Sequence, residues 1–133
     1  MTHPLPTRRA ILLGGMLMGL GVNAFAAQGG WPERPVRLVV AGSSGAGGDI
    51  FARLIAAPLA KALNQPVVVE AKPGANGMIA CDTVAKAAPD GYTLLFAPSS
   101  AILLNPVVLP SLPYDAEKDL LPIAQVGAAG ILL

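Results

Sequence analysis

The sequence predicts an α/β fold built on a parallel sheet, and three features point to it. Short apolar runs stand at 36–40, 67–70 and 92–97. Between them lie two segments, starting near Asp49 and Gly77, whose apolar or small residues recur at helical spacing. Each run is followed by a loop rich in Gly or Ser that leads into the next helix. Strands that alternate with helices are joined by crossovers, which are right-handed and make the sheet parallel.

The elements follow in order from local chemistry. Val36 to Val40 comes after the turn-rich Trp31-Pro32-Glu33-Arg34-Pro35 and suits a buried parallel strand. From Asp49 the residues Ile50, Phe51, Leu54, Ile55, Leu59 and Leu63 fall on one helical stripe, expected to face the core with Arg53 and Lys61 off it. Pro58 removes a backbone hydrogen bond and is expected to bend this helix, and Asn64 before Gln65-Pro66 is expected to end it. Val67 to Glu70 is the second strand. The next helix carries Gly77, Ala80, Cys81, Val84, Ala85 and Ala88 on one side, small residues that allow close packing on the sheet, while Asp82 and Lys86 pair outside at i, i+4. Pro89-Asp90-Gly91 is a turn and Tyr92 to Ala97 the third strand. After Pro98, Ser99 and Ser100 open a third, shorter helix that Asn105-Pro106 is expected to stop.

Strand-to-helix loops of a parallel sheet all leave the carboxyl ends of the strands, where ligands bind. Three such loops, at 41–48, 71–77 and 98–100, each precede a helix. Backbone bare of side chains exposes its N–H groups, and a helix N-terminus adds roughly half a positive charge, so an anion is the expected ligand. Nucleotide signatures fail. Gly42 and Gly47 are followed by Gly48 and Asp49, without the lysine and hydroxyl residue of a phosphate loop. A dinucleotide frame from Gly45 to Ile50 ends on isoleucine where glycine belongs.

Arg8 and Arg9, the apolar stretch Ile11 to Val22, and Ala24-Phe25-Ala26 form the three parts of an export signal, so residues 1–26 are expected to be cleaved. The apolar stretch is short of the roughly 18 to 20 residues that span a bilayer. Thr7 to Leu12 resembles a twin-arginine signal, leaving the route open between that system and the general one. The expected destination is the periplasm. His3, the single histidine, leaves with the signal. Imidazole-dependent triads, Cys-His pairs and His-ligated metals are thereby excluded, and neither metal nor cofactor is expected. Cys81 is alone and reads as a small buried residue. The basic residues from Arg34 to Lys118 are scattered, with no patch for nucleic acid. An apolar run from Val126 to Leu133 looks like a buried strand under way, so the chain is expected to be truncated.

Several stretches together resemble one family. Trp31-Pro-Glu-Arg-Pro-Val-Arg-Leu-Val-Val40, Gly45 to Arg53 with its Asp-Ile-Phe-Ala-Arg, and Asn64-Gln-Pro-Val-Val-Val-Glu70 are similar to the substrate-binding proteins of tripartite tricarboxylate transporters, the Bug receptors. Val84 to Leu95 and Leu112 to Leu120 extend the likeness, in order and over nearly all of residues 31–128. The resemblance implies an exported receptor of the type II periplasmic-binding-protein (Venus flytrap) fold, whose two α/β lobes close on small carboxylates. Residues 27–133 would be part of the first lobe, acting as a monomer beside the transporter's membrane subunits. The sequence departs from the family pattern at Ala41, Gly42 and Ala46 in the first loop, at Asn76, Met78 and Ala80 in the second, and at Ile102, where histidine is common.

The expected ligand site comprises Gly42, Ser43, Ser44, Gly45, Ala46, Gly47, Gly48, Asp49, Asn76, Gly77, Met78, Ser99 and Ser100. Backbone N–H groups at 42–48 and 76–78, with the four serine hydroxyls, would hold a carboxylate while a second lobe closes over it. Asp49 reads either as a cap on the first helical turn or as a contact to a ligand hydroxyl or ammonium. The competing class is an enzyme using a serine or Cys81 with Lys61, Lys72, Lys86 or Lys118 as base, but no Ser-x-x-Lys spacing occurs. A third possibility is a fragment of such a receptor without function.

Overall fold

The computed structural model describes residues 30–128, so the expected export signal and the end of the apolar terminal run lie outside the described residues. Three strands, β1 (Val36–Val40), β2 (Val67–Ala71) and β3 (Thr93–Phe96), form a parallel sheet in the order β2-β1-β3. Helix α1 (Gly47–Leu63) joins β1 to β2, and α2 (Met78–Ala85) joins β2 to β3. A π-helical turn at Ser100–Leu104 runs on into α3 (Asn105–Val108).

The two crossovers cover opposite faces of the sheet. Leu38 and Val40 pack with Ala52 of α1, joined by Val67, Val69, Leu94 and Phe96. The neighbouring residue Leu95 points the other way and packs with Cys81, Ala101 and Tyr114, beside Met78 and Ala85 of α2. A chain that steps from β1 to β2 and then back past β1 to β3 puts its helices on opposite faces when both crossovers share one hand. The central strand β1 is accordingly the most buried, with only Arg37 exposed.

Three expectations are corrected here. Helix α1 turns Ala52 and Ala56 to the sheet together with Asp49, with Ile55, Leu59 and Leu63 of the expected stripe half-buried, while Ile50, Phe51 and Leu54 stay 52%, 61% and 66% exposed. Apolar residues cover more than half of this helix's circumference, so spacing alone does not choose the buried side. The small residues win because they let the helix approach the sheet closely. Asn105-Pro106 does not stop the third helix: the π-helical turn carries straight on into α3 with Pro106 as its second residue, and the helix ends at Val108. Helix α2 closes at Ala85, one turn before its small-residue stripe runs out at Ala88.

Other details follow the local chemistry. Asn64 ends α1 in the left-handed region (φ 51°) with its N–H on Ala60 O, and the helix runs through Pro58. Ala80 and Cys81 are fully buried against the sheet, and burial pushes the Cys81 thiol pKa up. Lys86 Nζ lies 2.6 Å from Asp82 Oδ1, an ion pair without hydrogen-bond geometry. At the amino end of the sheet Arg34 stacks over the Tyr92 ring at 4.0 Å and bonds Asp90 at 2.8 Å. Gly91 sits there at φ +79°, where a Cβ would come within 3.2 Å of the Trp31 indole. Gly91→Ala is therefore expected to destabilise the fold by about 1–2 kcal/mol, read from the urea midpoint. An unchanged midpoint would mean that the indole moves aside freely.

Candidate functional site

The carboxyl ends of the strands bring the three loops to one place. A Cβ on Gly77 of the second loop would lie 2.8 Å from Ala101 Cβ and 3.1 Å from Ala41 Cβ. Ala41 follows β1 and Ala101 belongs to the turn after β3, so one glycine touches both neighbouring loops. The chain leaves β1 into α1 on one face of the sheet and β3 into the turn carrying Ala101 on the other, so the gap between these neighbouring strands is the kind of switch point where open α/β sheets bind ligands.

The first loop is an open cradle. Among the described residues, nothing beyond the adjacent chain lies within 4 Å of the place a Cβ would take on Gly42, Gly45 or Gly47, and Gly45 has φ +79°. Its N–H groups divide into two sets. Gly42 donates to Val40 O (2.9 Å), Ala46 to Ser43 O (3.1 Å) and Gly45 to Asp49 Oδ2 (2.8 Å), so these three are committed within the loop. Those of Ser43, Ser44, Gly47 and Gly48 donate to no acceptor among the described residues. The last two belong to the first turn of α1, where the helix dipole adds to their pull on an anion.

Asp49 is 2% exposed and organises this loop. Its Oδ2 accepts both Gly45 N–H and Arg53 Nε (3.0 Å), whereas Oδ1 has no hydrogen-bond partner among the described residues. The Arg53 guanidinium first, then the Gly45 amide, hold its carboxyl below the usual carboxylate range against the opposing effect of burial. The bond runs backwards from the third residue of α1 to the residue before its N-cap, in the manner of a capping box, and not to a first-turn N–H as expected.

The second loop carries four consecutive residues with positive φ: Gly74 (117°), Ala75 (47°), Asn76 (51°) and Gly77 (83°). Gly77 N–H donates to Gly74 O and Met78 N–H to Ala75 O, so two of the expected ligand donors are taken up by the turn itself. The Met78 side chain packs into the core under α2, away from the role expected of it. In the third loop the hydroxyls of Ser99 and Ser100 bond nothing among the described residues, and Ser99 does not cap the turn it precedes. The Tyr114 hydroxyl reaches Ala101 O at 3.5 Å from within the core, and burial pushes the tyrosine pKa up to about 12.

A family model described as the tripartite tricarboxylate transporter family receptor matches residues 51–133. The chain belongs to that receptor family. It is 53% identical over 118 residues to a UPF0065 protein of Bordetella bronchiseptica, covering 89% of this chain and 35% of that protein. Against Protein BugT of Bordetella pertussis it is 38% identical over 128 residues, or 96% of this chain and 39% of the relative. The chain thus spans somewhat over a third of the length of these relatives. Among solved structures, MatC of Rhodopseudomonas palustris with bound malate matches at 41% identity and a TM-score of 0.62, over 66% of this chain and 30% of that one. An R. palustris protein solved with adipate matches at 39% identity and TM-score 0.62, over 65% and 29%.

Within this receptor fold, sequence reasoning missed Arg53, Ala101, Asn105 and Tyr114. Arg53 was legible as the i+4 partner of Asp49, a spacing that favours an ion pair. Nothing local marked the others, since their partners lie 13 to 29 residues away or in another loop. A surface groove of mixed character, lined by Ile102, Pro106, Leu112 and Tyr114 together with Asp115 and Glu117, contains none of the first- or second-loop residues.

Proposed function

We propose that this chain supplies one wall of an exported, periplasmic receptor that captures a small carboxylate and passes it to the membrane subunits of a tripartite transporter. One observation carries the reading: four uncommitted N–H groups, at Ser43, Ser44, Gly47 and Gly48, stand beside two serine hydroxyls at the start of α1. Such a site grips an oxyanion by neutral donors and needs no covalent step. The malate and adipate of the structural neighbours are carboxylates, the kind of anion that neutral N–H donors suit. The enzyme alternative loses its thiol, because Cys81 is fully buried. Residues 1–26 would be the export signal and 27–133 part of a lobe whose partner lobe closes the cleft. A second reading, a receptor portion that does not bind by itself, is favoured by the chain's coverage of little over a third of its relatives.

Calorimetric titration of the chain with malate and with adipate separates these readings. On the receptor reading Ser43→Ala and Ser44→Ala each weaken binding by about 0.5–1.5 kcal/mol, as for a neutral hydrogen bond. Gly45→Val weakens it further by forcing a β-branched residue to positive φ and filling the open approach. Equal losses in all three variants would mean that side chains, not backbone, make the site. Absence of binding to either acid favours the second reading.

A further inference from the structure

The second loop is the most strained backbone among the described residues. Two of its four positive-φ residues, Ala75 and Asn76, are not glycine. Such a run persists only where surrounding structure holds it. The restraint comes from Asn105, which is 1% exposed and stands four residues after Ala101, the residue that meets Gly77. Asn105 Oδ1 accepts the Asn76 side-chain amide at 2.7 Å, and Asn105 Nδ2 donates to Asn76 O at 3.2 Å. Both ends of one buried amide are thus turned on one loop residue, which only Asn or Gln can do. Asn105 is held in turn by the π-helical turn, its N–H bonding Ser100 O.

We propose that Asn105 is a positioning residue of the candidate carboxylate site, acting through Asn76 to hold the Gly74–Gly77 loop against the loops that follow β1 and β3. The proposal rests on the receptor reading for its consequence, ligand affinity, but the clamp is a property of the loop itself. Without it the second loop relaxes toward negative φ, Gly77 leaves Ala41 and Ala101, and the cradle loses its shape while the sheet below stays intact. Asn105 acts without touching the ligand.

The test uses the full chain with Asn105→Ala, Asn76→Ala and the double variant, and two readouts. Amide hydrogen exchange follows Gly77 N–H, bonded to Gly74 O, against the amides of β1. Both single variants should speed Gly77 exchange by at least about tenfold and leave β1 protection within about threefold, the mark of local and not global opening. Titration with malate should show a loss of at least about tenfold in each single variant, and little more in the double, because two halves of one clamp are not additive. A merely structural asparagine would lower protection in β1 and the loop together, and that result overturns the proposal. So does tenfold faster loop exchange with unchanged malate affinity. If Asn105→Ala does not fold, Asn76→Ala, at an exposed loop position, decides alone. Should the unaltered chain bind no malate, the receptor reading of this chain fails by itself, and wild-type exchange at Gly77 in Asn76→Ala would still independently overturn the clamp.

Discussion

Gly77→Val is expected to destabilise the fold by about 2–5 kcal/mol, as strain of a β-branched residue at positive φ adds to overpacking. The glycine sits at φ +83°, and its missing Cβ would lie 2.8 Å from Ala101 Cβ and 3.1 Å from Ala41 Cβ. Neither neighbour can yield by rotating, because an alanine side chain has no torsion that moves Cβ and each belongs to a different loop. Gly45 makes the contrast: its φ is almost the same, yet nothing lies within 4 Å, so Gly45→Val should cost stability only the conformational part, about 1–2 kcal/mol. Urea denaturation of both variants checks the order. A Gly77 variant no worse than the Gly45 variant would show that the three loops do not meet as closely as described.

The second large effect belongs to Asp49. Asp49→Ala removes the acceptor that holds Gly45 N–H and the partner of Arg53, so the first loop should lose its shape and malate affinity should fall by at least about tenfold. Asp49→Asn separates charge from shape, since its amide oxygen still accepts Gly45 N–H. The folded pKa is held below the unfolded one, chiefly by Arg53. The stability contributed by the charge is therefore fully present above the unfolded carboxylate value and is lost as pH falls through the lower, folded value. Glu70 and Asp115 are shifted in the same direction by their own cations, so the wild-type curve alone mixes three groups. The difference in unfolding free energy between wild type and Asp49→Asn isolates one. It should be level near neutral pH and shrink below about pH 4. A difference that grows toward acid would mean that the buried carboxyl is held protonated, and the loop would need another explanation.

Much of this architecture is legible from neighbouring residues. β1 spans Val36–Val40 as its apolar run predicts, and β2 and β3 differ from expectation by one residue at their ends. The small stripe Ala80-Cys81 packs on the sheet as its spacing requires. Asn64 ends α1 because asparagine tolerates the left-handed conformation that a helix C-cap adopts, and Pro66 keeps Gln65 from continuing the helix. The glycine- and serine-rich loop between β1 and α1 was readable as well, since its composition is local to residues 41–48.

Which donors stay free was not readable. Gly45 and Gly48 look alike in sequence, yet the rotation of α1 about its axis brings Asp49 back onto Gly45 N–H, while Gly48 N–H is one of the first-turn donors without an acceptor. The same rotation decides that Ala52 and Ala56, not Phe51 and Leu54, meet the sheet.

Composition and spacing therefore determined the alternation of strands and helices and the three glycine- and serine-bearing loops at the carboxyl ends of the strands. Torsion preferences and short-range hydrogen bonds act over a few residues, and those are the interactions a sequence displays. Strand order, the buried side of α1, the meeting of Gly77 with Ala41 and Ala101, and the Asn105–Asn76 clamp were decided only by the tertiary structure. Each joins residues about 13 to 60 apart, where the outcome turns on ångström-scale distances that no local pattern encodes.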